Sequence, residues 1–175
     1  MSEAEGDRLT DRFSHHPVMP PNVRPGQVIS LVEVTGGLGS RVDASTLADE
    51  FGADIAVLLP ILDAAELLGL VNTSHGEVVL TDFGAEFQKV VKSKVTLLKD
   101  RLAKMEPFRT ALELAREKEE VDAQQVSEEL AIEGVRLHHQ DEMNVLLVQG
   151  LLLHWGIRSG LLSYDGRTGG FRLAG

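Results

Sequence analysis

The stretch Glu66-Leu67-Leu68-Gly69-Leu70-Val71-Asn72-Thr73-Ser74-His75-Gly76-Glu77-Val78-Val79-Leu80-Thr81-Asp82-Phe83-Gly84 decides how this chain folds. Gly69 stops a helix, because glycine tolerates the left-handed conformation that closes helices. Leu70-Val71-Asn72 and Val78-Val79-Leu80 then flank Thr73–Glu77, a polar connection with Gly76 inside it, which reads as a β-hairpin. Thr81 follows at once as an N-cap, with Asp82 in the first turn where the helix dipole favours a carboxylate.

Upstream of the hairpin, Asp54–Leu68 (DIAVLLPILDAAELL) predicts a helix, and Asp43 caps a shorter one carrying Leu47, Ala48 and Phe51 and ending at Gly52. Ser40-Arg41-Val42-Asp43 reads as a brief strand. Before it, a helix opens at Pro25, carries Val28, Ile29, Leu31, Val32 and Val34, and stops at Gly36-Gly37. The order helix, short strand, helix, helix, hairpin, helix is that of a winged helix, with Asp54–Leu68 in the place of its DNA-reading helix. That helix carries no Lys, Arg, Asn or Gln; its charges are Asp54, Asp63 and Glu66. Base edges call for hydrogen-bond donors and phosphates for cations, so nucleic acid is a poor partner for it. Its aliphatic face is expected in the core, with the carboxylates toward water or a protein.

Downstream, the pattern is helical. Phe83, Phe87, Val91, Val95, Leu98, Leu102 and Met105 step by three or four and read as one apolar stripe for core or helix pairing. Pro107 opens a helix through Phe108, Leu112 and Leu114, Asp122 caps another with Val126 and Leu130, and a strongly apolar one runs from Asp141 to Trp155. Leu162-Ser163-Tyr164 and Gly170-Phe171-Arg172-Leu173 flank Asp165–Gly169 as a second hairpin. Trp155 and Tyr164 are read as core. The expected fold is therefore mainly α (α+β): a flexible tail over 1–24, a winged-helix domain over 25–91, and a helical domain over 92–175 ending in a β-hairpin.

Charge and composition narrow the function. Asp and Glu outnumber Lys and Arg by 27 to 17, for a formal net charge of −10, which repels phosphate backbones and anionic lipid. Without cysteine there is no disulfide, thiol nucleophile or thiolate zinc site. The polar N-terminus has no apolar segment of the signal-peptide kind, no apolar run reaches the ~20 residues of a membrane span, and a cytoplasmic location is expected. GGLGS at 36–40 lacks the lysine of a phosphate loop and reads as a helix stop. His15-His16 and His138-His139 are adjacent pairs that cannot chelate jointly on a helix; His138 with Glu142 has the spacing of a two-ligand site but reads more simply as a solvated patch. His154 beside Trp155 is a candidate for partial burial. Lys89, Lys92, Lys94, Lys99, Arg101 and Lys104 form the one cationic region, interleaved with Glu86 and Asp100, and read as a solvated face. No catalytic, cofactor-binding or metal-binding residues are assigned, and no enzymatic activity is expected.

Three pieces in order carry a resemblance: VRPGQVISLVEV (23–34), ELLGLVNTSHGEVVLTDFGAEF (66–87) and LLHWGIRSGLLSYDGRTGGFRL (152–173). Together they resemble the C-terminal AAA-associated domain, most tellingly in Leu80-Thr81 with Gly84 and in Trp155-Gly156 with Tyr164-Asp165. The family often has aromatics between those last two pairs, where this chain has Ile157, Leu161 and Leu162. In that family the module usually follows the ATP-binding cassette of nitrate, sulfonate or bicarbonate-type ABC importers; here a short tail, and no cassette, is expected ahead of it. The resemblance implies a stand-alone, non-catalytic accessory or regulatory module that binds a separately encoded transporter ATPase, with no catalytic residues to carry over. The alternative from a different class is a winged-helix transcription regulator using the lysine-rich helices or the wing. A homodimer through the long apolar helices is a third expectation.

Overall fold

The computed structural model describes residues 16–175. The predicted tail falls largely on 1–15, outside the described residues. The chain is mainly helical with small antiparallel sheets. It forms two compact units, one of residues 22–99 and one of residues up to 21 together with 100–175.

In the 22–99 unit, α1 (Pro25–Gly37) begins with proline, whose missing N–H costs nothing in a first turn. The Gln27 side chain accepts the Arg24 N–H at 2.9 Å. GGLGS is a helix stop: Ser40 N–H reaches back to the Thr35 carbonyl, and Gly39 and Ser40 take positive φ. Strand β1 (Arg41–Asp43) leads into α2 (Ala44–Phe51), closed by Gly52 in the left-handed conformation. Asp43 occupies the N-cap as predicted, but its side chain makes no cap hydrogen bond. Helix α3 (Ile55–Leu67) packs on α1 and keeps Pro60 inside it.

The first hairpin is tighter than predicted. β2 (Val71–Ser74) and β3 (Glu77–Leu80) take in Thr73, Ser74 and Glu77, leaving only His75-Gly76 as the turn. Both have positive φ, as the type I′ turn that suits strand twist requires. β1 joins on the other side of β3, Val42 opposite Val78, giving the order β1-β3-β2. Helix α4 (Asp82–Lys89) follows, with Thr81 Oγ1 accepting the Gly84 N–H at 2.9 Å.

The single apolar stripe does not exist as one helical face. Helix ends at Lys89, Ser93 turns left-handed, and Val91 is 90% exposed before a 3-10 turn at Lys94–Leu98 and the short α5 (Lys99–Leu102). Phe87, Val95, Leu98, Leu102 and Met105 are buried nonetheless. Spacing of three and four persists across a break because a 3-10 turn repeats every three residues.

In the other unit, α6 (Phe108–Lys118) packs against α7 (Ala123–Ile132), which opens on a reciprocal capping box between Asp122 and Gln125. Helix α8 (Asp141–Leu151) lies on α7 and continues through a π-helical turn, Leu152–Ile157. Strands β4 (Leu162–Asp165) and β5 (Gly170–Leu173) form the second hairpin, to whose Phe171 the backbone of Val121 bonds in both directions at 2.9 and 2.7 Å. Trp155 is fully buried, as expected of core. Tyr164 is not: it is partly exposed, its ring tilted against Phe171 at 4.9 Å. Outward side chains alternate along a two-stranded hairpin, so an aromatic there covers its neighbour rather than filling the core. The Met19 N–H donates to the Glu106 carbonyl at 3.0 Å and the Glu106 N–H to that of Pro17 at 2.8 Å, with Met19 buried.

Candidate protein-docking face

Helix α3 is apolar on both sides. Leu58, Ile61, Leu62, Ala64 and Ala65 point inward and are buried. Ile55, Val57, Leu59 and Leu67 are between 41% and 57% exposed, and Ala56 and Pro60 are exposed beside them. The expected burial of an aliphatic face holds for the inward set, while a second aliphatic set stays exposed. Runs such as Val57-Leu58-Leu59 place methyl groups all round a helix, and only one side can be covered. That all-round pattern signals that some aliphatic side chains must stay exposed, but not which. Single exposed leucines are ordinary on a soluble protein, but several on one helix with no cation among them form a patch suited to a protein surface.

The carboxylates of α3 divide between structure and surface. Glu66 accepts the Thr73 N–H at 3.2 Å and the Thr73 hydroxyl at 2.9 Å, tying the end of α3 to β2. Asp63 is exposed on the outward side, and Asp54 holds the N-cap position without a side-chain cap bond. The face therefore presents hydrocarbon with acidic charge at its edge.

Lys94 is engaged: its Nζ bonds the Gln88 carbonyl at 3.0 Å, lies 3.5 Å from Glu33 and sits 5.5 Å from the Phe87 ring centre. Lys89, Lys92 and Lys99 are exposed in the same unit, while Arg101 and Lys104 belong to the other. At the first sheet, Arg41 pairs with Glu77 at 2.6 Å, so its guanidinium is already matched by a carboxylate.

The histidines form no helical metal pair. His138 lies ahead of α8, whose N-cap is Gln140, so its spacing to Glu142 is not that of one helix face. Its Nδ1 accepts the Gln140 N–H at 3.0 Å, and its ring stacks on His139 at 4.3 Å. His154 is half-buried. His15 lies outside the described residues. Among the described residues no group of three or more acidic or histidine side chains is placed to hold a metal ion.

The ion pairs of the 100–175 stretch include a cluster on Arg109 and a pair between Glu120 and Arg172. Glu106, buried, accepts from Arg109 Nε at 2.6 Å and from the Thr110 N–H and hydroxyl, while Arg109 also reaches Glu113 and Glu133. Burial works against the Arg109 charge, but these carboxylates outweigh it and raise its pKa. A hydrogen bond with Thr168, and then one from Arg172, hold the Glu120 carboxyl below its ordinary value.

The C-terminal AAA-associated domain matches residues 45–165, from α2 to the end of β4. That span contains the first hairpin with Thr81 and Gly84, and Trp155 with Tyr164-Asp165; it leaves out 23–34 and the last strand. No curated protein and no solved structure matches the chain. Among the described residues no helix is long and apolar enough to cross a membrane. The family's description associates its members with AAA-type ATPases in general. The chain belongs to the C-terminal AAA-associated domain family.

Proposed function

We propose that this protein is a non-catalytic, cytoplasmic accessory module that binds and regulates the ATP-binding subunit of an ABC importer of the nitrate, sulfonate or bicarbonate type. Its 22–99 unit is a winged helix turned to protein binding, with α3 as the docking helix. The observation that carries this reading is the outward face of α3, where Ile55, Val57, Leu59 and Leu67 stand exposed beside Asp63 and no donor for a base or phosphate is offered. Family membership supplies the ATPase class, and the ABC assignment rests on the resemblance in the three sequence pieces. The engagement of Lys94 and Arg41 by carboxylates weighs against a duplex-binding reading.

The test is a titration of the purified full chain into an ABC ATPase subunit encoded beside it, reading both binding and ATP hydrolysis. Saturable binding with a changed hydrolysis rate supports the proposal. Absence of binding, together with salt-dependent affinity for duplex DNA, overturns it in favour of a transcription regulator.

A further inference from the structure

Proline is the residue a helix interior tolerates least: its ring crowds the carbonyl four positions back, and it has no N–H to give that carbonyl. Pro60 is the sixth residue of α3, past the first turn where a missing N–H costs nothing. The Ala56 carbonyl therefore lacks the helical bond it would otherwise accept. Ala56 and Pro60 are both exposed, so the ring fills no space in the core.

Ala56, Pro60, Asp63 and Leu67 recur at four, three and four residues, with Leu59 beside Pro60, and all five are exposed. At 3.6 residues per turn they share the side turned away from the buried Leu58, Ile61, Leu62 and Ala65. Glu66 is bonded to Thr73, whereas Asp63 enters no ion pair among the described residues. The outward side thus presents two acceptors set among hydrocarbon, the Ala56 carbonyl and the Asp63 carboxylate, roughly 10 Å apart along the axis. It presents no cation. From Val42 to Gln88 the chain has no Lys or Arg against nine Asp and Glu.

Resting on α3 as the docking helix, we propose that the protein partner receives it in an apolar groove with an arginine or lysine opposite Asp63 and a hydrogen-bond donor opposite the Ala56 carbonyl. A helix laid in a groove is read at i, i+3, i+4 and i+7, the positions of Ala56, Leu59, Pro60 and Asp63. A cation meeting a carboxylate inside an apolar groove gains more than it would in water, and the surplus of carboxylates repels an acidic groove. Pro60 is then kept for recognition although it weakens the helix. A broken local rule that packing does not explain is expected at a functional position.

Pro60→Leu separates the two roles, because leucine keeps the hydrocarbon and restores an N–H to the Ala56 carbonyl. In the full chain this variant should melt at least about 3 °C higher, yet bind the ABC ATPase subunit encoded beside it about fivefold more weakly. Asp63→Asn should leave melting unchanged, bind about tenfold more weakly and flatten the loss of affinity between about 50 and 300 mM salt. Unchanged affinity of either variant, while Leu59→Asp loses affinity, overturns this groove chemistry and leaves α3 as the docking helix. No binding by the unmodified chain, or full binding by Leu59→Asp, overturns both.

Discussion

The backbone of Gly84 lies against the carbonyl of Leu70 so closely that a Cβ on Gly84 would fall inside that oxygen's van der Waals shell. The same short piece of backbone is bonded twice over: the Thr81 N–H donates to the Leu70 carbonyl at 3.1 Å and Thr81 Oγ1 accepts from Gly84 at 2.9 Å. The Thr-Asp-Phe-Gly run is therefore a clamp between the start of β2 and the first turn of α4. Gly84→Ala is expected to destabilise the fold by about 3 kcal/mol through backbone displacement, and Thr81→Ala by about 1 kcal/mol through loss of the cap. Urea denaturation of the two variants checks the order.

A second prediction concerns the buried polar pair under α8. Asn144 Nδ2 donates to Ser127 Oγ at 2.7 Å, and its Oδ1 accepts the Leu137 N–H at 2.7 Å. Asn144→Leu strands that N–H and the serine hydroxyl in the interior and should cost about 2–3 kcal/mol, with Ser127→Ala costing less. A double-mutant cycle with Ser127→Ala should return a coupling of about 1 kcal/mol; purely additive losses would refute a direct bond.

The docking face separates function from stability. Leu59→Asp and Ile55→Asp alter side chains that are already half in water, so melting should shift by little, within about 0.5 kcal/mol. Binding to the ATPase subunit should fall at least about tenfold, since a charge replaces apolar contact at the centre of the patch. Calorimetric titration of each variant reads this directly. Unchanged affinity for both would place the contact elsewhere on the protein.

Glu120 gives a pH signature. Its carboxyl is held below the ordinary value by Thr168 and Arg172, so its contribution to stability is present above the unfolded carboxylate pKa of about 4.3 and is lost as pH falls through the lower folded value. Thermal melts of the protein and of Glu120→Gln should differ at pH 6 and draw together as the pH falls through the lowered carboxylate value. A gap that persists at the acid end would mean that packing beside Gly170, and not charge, links Glu120 to the hairpin.

What could be read in the sequence was what is fixed locally. Gly52, Gly69, Thr81, Asp122 and the two hairpins depend on backbone conformations or hydrogen bonds spanning a few residues, and residue type alone signals them. The break after Lys89 was hidden because Val91 and Val95 keep a helical spacing through a left-handed Ser93. The exposure of Ile55, Val57, Leu59 and Leu67 was hidden for a related reason. In a helix apolar on all sides, periodicity cannot choose which side meets α1, and that choice belongs to tertiary packing. Tyr164 was misplaced because a hairpin strand gives an aromatic two faces and the sequence does not say which is covered.

The hydrogen bonds from Met19 and Glu106 have a consequence for covalent topology. The stretch 22–99 is an insertion: the chain leaves one compact unit at Pro21 and returns to it at Asp100, so two peptide crossings join the units. A single proteolytic nick at either crossing severs the chain, and the link between residues 17–19 and Glu106 is then held by hydrogen bonds and burial alone. A fragment begun at residue 100 would lack the Pro17–Met19 strand that pairs with Glu106, leaving that backbone unmatched. An excised C-terminal unit should be built with residues 16–21 spliced through a short linker onto Asp100.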